Sequence, residues 1–330
     1  MTTVAPDPTI ASIVEELRTR NRFVLSSHAR PDGDSIGSQL ALAAALHYLG
    51  KTVRIVNRDP IPPYLQSLSR IATVEVAETI TGDYDAAVLL ECGSLDRTEV
   101  AGLDHYFVIN VDHHAGNSMY GALNWFDESA AACGEMVFDL VTALGVPLST
   151  KIATAIYVAI LTDTGAFHHG NITARTFEIC RHIAESGVSA AEVAARIYQT
   201  SSVGKLWLTG AILNAMKLEG NGRVAVLHVD EKLLYETGCA PDDMEGLINL
   251  PLAASHIQAV ILLKPFTDTI RVSLRSKAAV DIRTVALAYG GGGHRNAAGF
   301  TASGSLEDVR SRIVADVLAA IDASPPDDRT

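Results

Sequence analysis

The sequence predicts an α/β protein: a parallel sheet with helices on both faces in its N-terminal part, followed by a smaller α/β domain. Three observations predict it. Short apolar runs at residues 23–25, 52–56, 86–90 and 106–111 alternate with stretches of helical periodicity. Three of those runs lead into polar, titratable residues: His28, Asp32 and Asp34 after the first, Glu91 after the third, Asp112-His113-His114 after the fourth. A second alternation of strands and helices starts near residue 224, beyond a long helical stretch.

The elements follow in order. Pro8 suits a first helical turn, and Ile10, Ile13, Val14 and Leu17 recur at helical spacing. Residues 26–34 form a polar turn after the first strand. An Ala/Leu-rich helix over about 35–49 is then closed by Gly50. From 131 to about 210 the pattern is largely helical. The apolar helix around 152–161 ends in Thr162-Asp163-Thr164-Gly165, and segments near 192–198 and 206–217 form a helical connection. The second unit carries strands at 256–263 and 270–274, a helix near 282–289, a glycine run at 290–293 and an amphipathic helix over 305–323. Trp125 and Phe126 are assigned to core or hinge packing. The expected division is 1–195, a helical linker 196–215, 216–323, and a frayed, disordered tail 324–330.

Composition narrows the function. The chain has 330 residues, 48% of them hydrophobic and 19% charged, which excludes disorder, collagen and a disulfide-stapled mini-protein. A net charge of −12 argues against a broad basic face for long duplex nucleic acid. Cys92, Cys133, Cys180 and Cys239 are far apart and suggest reduced thiols in a cytoplasmic protein. Residues 1–20 lack the pattern of a signal peptide, and no apolar run is long enough to span a bilayer, so no membrane association is expected.

The strand-end residues carry the chemistry. His28, Asp32 and Asp34 have H-x-x-x-D-x-D spacing, which presents three ligands in a small arc, and Gly33 allows a sharp turn between the carboxylates. Mixed imidazole and carboxylate donors suit Mn²⁺, Fe²⁺ or Zn²⁺ better than Ca²⁺. The competing reading is an ordinary turn with Asp34 as N-cap of the next helix. Three titratable residues in a row at Asp112-His113-His114 have no packing reason. Asp163, at a helix C-terminus, opposes the helix dipole and calls for a positive neighbour such as a metal. Glu91 is either a ligand or a solvated carboxylate at a loop start.

In this order the motifs resemble the DHH phosphoesterase family. His28/Asp32/Asp34 is similar to its first motif, Glu91 falls at its second, Asp112-His113-His114 at its third and Asp163 at its fourth. Gly290-Gly291-Gly292-Gly293-His294 with Ala297-Ala298-Gly299 resembles the glycine-rich motif of the DHHA1 domain. The resemblance spans about residues 10–322 and is nearest to the NrnA-type oligoribonucleases. It implies a DHH metal-binding catalytic domain at 1–195 and a DHHA1 substrate-binding domain at 216–323, with the active site in the cleft between them.

The resemblance also implies two Mn²⁺ ions, with Co²⁺ or Mg²⁺ as alternatives. His28 and Asp32 would hold one, and Asp34, His113 and Asp163 the other. Glu91 would bridge them where the family usually has Asp, so the longer side chain must bend differently. Asp85 lies at the wrong end of its strand, and Asp96 is a nearer fallback. Asp112 would support the site, and His114 would face the substrate phosphate, either clamping an oxygen or protonating the leaving group. Arg275, Gly291, Gly292, Gly293 and His294 would bind substrate, in a segment (264–295) that holds six cations against two acids. Arg97 either touches substrate or pairs with Asp96 or Glu99. His168-His169 is expected to be a solvated loop.

The implied activity is hydrolysis of short RNA oligonucleotides to mononucleotides and removal of the 3′-phosphate of 3′-phosphoadenosine 5′-phosphate (pAp). A linear or cyclic dinucleotide phosphodiesterase is the rival within the class, and a non-catalytic nucleotide sensor the rival outside it. A homodimer is allowed.

Overall fold

A computed structural model describes residues 8–168, 171–244, 246–266, 269–277 and 279–324. The chain divides into two compact units, Met1–Thr200 and Ser201–Thr330.

The first unit has six parallel strands: β1 (Arg22–Ser26), β2 (Thr52–Asn57), β3 (Val74–Val76), β4 (Ala86–Leu90), β5 (Phe107–Asp112) and β6 (Leu123–Phe126). Their order is β3-β2-β1-β4-β5-β6, and all pairings are parallel. Strand order reverses between β1 and β4, so a crevice is expected beyond their carboxyl ends. β4 is buried at all of its positions and β1 from Phe23 onward, as expected for strands covered on both faces. The helices are α1 (Pro8–Thr19), α2 (Gly33–Tyr48), α3 (Cys133–Ala143), α4 (Thr150–Asp163), α5 (Ala174–Glu185) and α6 (Ala190–Tyr198). The sequence reading misses β6, a short edge strand without alternation. Trp125 on it is buried in the core of this unit, in line with the packing role expected for it.

α2 is buried nearly all round. A Cβ at Gly37 would lie 2.5 Å from the Ala155 carbonyl oxygen, and one at Gly33 only 2.3 Å from Thr162 Oγ1. Gly33 is the first residue of α2 and is absent from the glycines with positive φ. The expectation that it makes a sharp turn between Asp32 and Asp34 is therefore wrong. Its lack of a side chain is needed for the close approach of α2 to α4. The N-cap of α2 is Asp32, whose side chain accepts from Ser35 N–H at 3.0 Å; Asp34, offered as the cap in the competing reading, lies inside the first turn.

The second unit contains α7 (Val203–Asn214), β7 (Lys217–Glu219), β8 (Val224–His228), α8 (Glu231–Thr237), β9 (Ala259–Pro265), β10 (Ile270–Ser276), α9 (Arg283–Ala288), β11 (Gly292–His294), β12 (Ala297–Ala302) and α10 (Leu306–Asp322). Its sheet runs β11-β12-β10-β9-β8-β7, with β8 and β9 parallel and the other pairs antiparallel. The helix expected to reach residue 217 ends at Asn214. Gly220, Asn221 and Gly222, all at positive φ, close a hairpin that turns 217–219 into an edge strand. Of the expected frayed tail, residues 325–330 lie outside the described residues.

Candidate metal centre

The expected ligands converge at the carboxyl ends of β1, β4 and β5, joined by the start of α2 and the end of α4. Three sets of side chains each bring ligand atoms within 4.8 Å of one another: His28/Asp32/Glu91, Asp34/His113/Asp163, and Glu91/His113/His114. Glu91 and His113 each belong to two sets and so link them.

Glu91 is the first residue past β4. Its N–H donates to the Val111 carbonyl at 2.9 Å, and its backbone turns left-handed at φ 56°. That conformation costs a side-chain-bearing residue about 1 kcal/mol and is typical of functional sites. The carboxylate is buried at 1% exposure. Oε2 lies 2.6 Å from His28 Nε2 and accepts from Ser35 Oγ–H at 2.6 Å, while Oε1 lies 3.2 Å from His114 Nε2. His28 is anchored at its other nitrogen by the Ala29 carbonyl at 2.8 Å.

Asp34 is fully buried. Its oxygens accept from the N–H groups of Cys133 at 2.6 Å and Gly134 at 3.0 Å, at the N-terminus of α3, and from Ser38 Oγ–H at 2.8 Å. The positive end of α3 thus helps to hold this carboxylate. His113 Nδ1 lies 3.0 Å from the Ala130 carbonyl, which assigns its hydrogen to that nitrogen. His113 Nε2 is buried with no hydrogen-bond partner, 3.5 Å from Asp34 Oδ2 and 3.6 Å from Asp163 Oδ2. A bare nitrogen lone pair facing two carboxylate oxygens is repulsive unless a cation or a proton lies between them. The donor set therefore fits a divalent metal.

The titration behaviour points the same way. Burial pushes the Asp34 carboxyl well up, reinforced by Glu91 and opposed by His113. Burial likewise raises Asp163. Burial opposes charge on His28, yet its hydrogen bond to Glu91 and that group's negative charge overcome this and raise the imidazole to about 9. His113 is raised in the same way by Asp34 and Asp163, against its burial. With no cation present, the cluster holds protons to neutralise its crowded carboxylates.

His114 is the most open of the three imidazoles, its side chain 35% exposed against 11% for His28 and 10% for His113. Asp112 Oδ1 accepts from its Nδ1 at 2.8 Å, and Asn117 Nδ2 donates to Asp112 Oδ2 at 2.6 Å. Asn117 also donates to Asn110 Oδ1 at 2.8 Å. The Asp112 hydrogen bond is the largest influence raising the His114 imidazole, and hydrogen bonds from His114 and Asn117 hold Asp112 low against its burial. Sequence reasoning misses Ser35, Asn110 and Asn117. Ser35 directly follows the first motif and Asn110 is a polar residue inside an apolar strand, so both carry a signal; Asn117, in a polar loop, carries none.

Asp85 lies away from this cluster, its Oδ2 accepting from Asn21 and Arg22 N–H at the opposite end of the strands. Asp96 joins none of the three sets. Arg97 is exposed and pairs with neither Asp96 nor Glu99 among the described residues; its carbonyl accepts from Ala29 N–H at 2.7 Å, tying its loop to that of His28. His168 is exposed, and His169 lies outside the described residues.

In the second unit, Arg275 is half-buried on β10, donates to the Leu274 carbonyl at 2.9 Å, and has its pKa lowered by burial. A Cβ at Gly291 would lie 2.3 Å from the Gly299 carbonyl oxygen, and Gly293 has φ 139°, so these two glycines also have a packing reason. Around Gly292 the space is open. The backbone of His294 ends β11; its side chain lies outside those described.

Comparison with known proteins gives two family matches: the DHH family, N-terminal domain, over residues 22–160, and the DHHA1 domain over residues 221–322. The chain is 33% identical to a protein of Thermus thermophilus named bifunctional oligoribonuclease and PAP phosphatase NrnA, over 88% of this chain and 87% of that one. Among solved structures, it resembles an exopolyphosphatase-related protein from Bacteroides fragilis with a TM-score of 0.85 and 24% identity, covering 97% and 98% of the two chains. It also shares its fold with RecJ from Thermus thermophilus, solved in complex with Mn²⁺, at a TM-score of 0.53 and 17% identity, covering 95% of this chain and 55% of that one.

Proposed function

Because this chain belongs to the DHH phosphoesterase family and carries its DHHA1 domain, we propose that it is a metal-dependent hydrolase that cleaves short oligoribonucleotides to mononucleotides and removes the 3′-phosphate of pAp in the cytoplasm. The observation that carries the reading is the buried, unpartnered His113 Nε2 between Asp34 and Asp163, beside a second donor set, His28/Asp32/Glu91, linked to it through Glu91/His113/His114. The substrate class is supported by the 33% identity to the Thermus thermophilus oligoribonuclease and PAP phosphatase.

In this reading Asp34, His113 and Asp163 hold one divalent ion, His28 and Asp32 a second, and Glu91 serves both; Mn²⁺ is the proposed ion. Two such ions, when bound, supply charge neutralisation at the phosphoryl oxygens and acidify a water for attack on phosphorus. The remaining work falls to the chain's own side chains. The Asp112 carboxylate orients His114 through Nδ1 and favours its charged form, so Nε2, 3.2 Å from Glu91 Oε1, carries a proton that it would give to the leaving oxygen on turning to the substrate. Asn117 fixes Asp112 in turn. Ser35 holds Glu91 in place. Arg275, Gly291, Gly292, Gly293 and His294 of the second unit grip the substrate phosphate.

The test is purified protein with Mn²⁺ offered pAp, a 5′-labelled RNA trimer and pyrophosphate, followed by a substrate-length series. Mononucleotides from the trimer and adenosine 5′-monophosphate from pAp are expected. Turnover confined to dinucleotides would replace the proposed substrate with that narrower one. Tight binding without turnover, unrepaired by Glu91→Asp, would overturn the enzyme reading in favour of a nucleotide sensor.

A further inference from the structure

Apart from the metal centre, the first unit contains a cavity of about 190 Å³ between the 3-10 turn Pro63–Arg70, the N-terminal part of α4 and α6. Its inner wall is apolar and buried, with Leu68, Val158 and Ile197. Its rim is basic: Arg70, Lys151 and Arg196 all line it and are all exposed, and the half-buried Thr154 adds a hydroxyl. Arg196 has Glu192 at 3.6 Å, but Arg70 and Lys151 have no ion pair among the described residues.

The two halves of this cavity ask for different things. An apolar cavity of roughly 150 Å³ holds one benzene-sized ring, so the inner wall has room for one ring or one branched chain. The rim gathers three cations in a chain whose net charge is −12. An inorganic anion would leave the apolar wall wet, and a neutral apolar compound would leave the cations unmatched. The metal centre is separate. None of the proposed metal ligands lines the cavity; along α4 its lining runs from Thr150 to Val158, five residues and a rise of about 7.5 Å short of Asp163.

We propose that this cavity is a second binding site, taking a small organic anion that joins one ring-sized apolar group to a carboxylate or phosphoryl group. The inner wall takes the apolar body and Arg70, Lys151 and Arg196 take the charge. The site stands independently of the substrate reading above.

The test is isothermal titration of the full-length, Mn²⁺-loaded protein with phenylacetate and with phenylphosphonate, the two arms separating carboxylate from phosphoryl recognition. Inorganic phosphate and benzyl alcohol serve as half-ligands. At least one aryl anion is expected to bind about tenfold or more tighter than either half-ligand. The Arg70→Glu/Lys151→Glu double variant should weaken it by a similar factor, whereas His113→Ala should leave it unchanged. Thr154→Phe, which fills the cavity without touching the charges, should also abolish it. Binding no tighter than the half-ligands, wild-type binding in both cavity variants, or loss of binding in His113→Ala would each overturn the proposal.

Discussion

The two halves of the metal centre are built differently. Around His113, the nitrogen and both carboxylate oxygens stand 3.5 and 3.6 Å apart, with Nε2 buried and unpartnered. Around His28, Nε2 and Glu91 Oε2 have closed to 2.6 Å, a hydrogen bond that needs a shared proton. The first half stays open because its members are tied back by other groups: Asp34 by the N-terminus of α3 and Ser38, His113 by the Ala130 carbonyl. In the second, His28 and Glu91 are also tied, by the Ala29 carbonyl and by Ser35, but the longer Glu91 side chain, on a strained backbone position, reaches its neighbour directly. The difference teaches that the direction of the supporting contacts and the reach of each donor side chain together set which donors stand apart.

That contrast yields predictions, the largest first. His113→Ala and Asp34→Ala each remove the open half. Mn²⁺-dependent turnover should fall by more than about a hundredfold, beyond what a supporting contact is worth. Near-normal rates in either variant would break the comparison at its root. Asn117→Ala releases the clamp on Asp112 and His114 and should cost about tenfold to a hundredfold in kcat, with Mn²⁺ affinity nearly unchanged. A matching loss of Mn²⁺ affinity would place His114 among the ligands instead.

Smaller effects test the closed half and the helix that carries both. Gly33→Ala would set a Cβ 2.3 Å from Thr162 Oγ1, which is itself held by its hydrogen bond to the Val158 carbonyl at 2.8 Å. Destabilisation of about 1–3 kcal/mol is expected, read from denaturant midpoints. A neutral result would show that α2 and α4 separate freely.

The pH dependence of the metal-free protein tests the shared proton. His28, raised to about 9 by Glu91 against its burial, contributes stability that is fully present below its ordinary value of 6.5 and is lost as pH rises through about 9. Melting temperature measured without metal should therefore fall across that window. Glu91→Gln should flatten the profile, and excess Mn²⁺ should do the same by replacing the proton. A metal-free profile that is flat from pH 6.5 to 9 would contradict the closed geometry.

Much of the centre was legible in the chain itself. Strand-end placement put His28, Glu91 and Asp112-His113-His114 on one side of a parallel sheet, because βα units leave their loops at the carboxyl ends of the strands. Asp163 showed itself by opposing a helix dipole. Gly33 was misread because its reason lies in Thr162, distant in sequence and adjacent only in space. The β7 hairpin was missed because 217–219 extends an apolar helical pattern, and only the pairing with β8 pulls it into the sheet.

The sequence alone determined the residue types, their order and which strands and helices present them, because periodicity is local. Tertiary structure decided which donors stand open and which close on each other. It also decided that Asn117 supports Asp112, that α2 must touch α4 at a glycine, and that Arg70, Lys151 and Arg196 meet around an apolar cavity. Those facts depend on contacts between residues far apart in the chain, whose geometry no local pattern encodes.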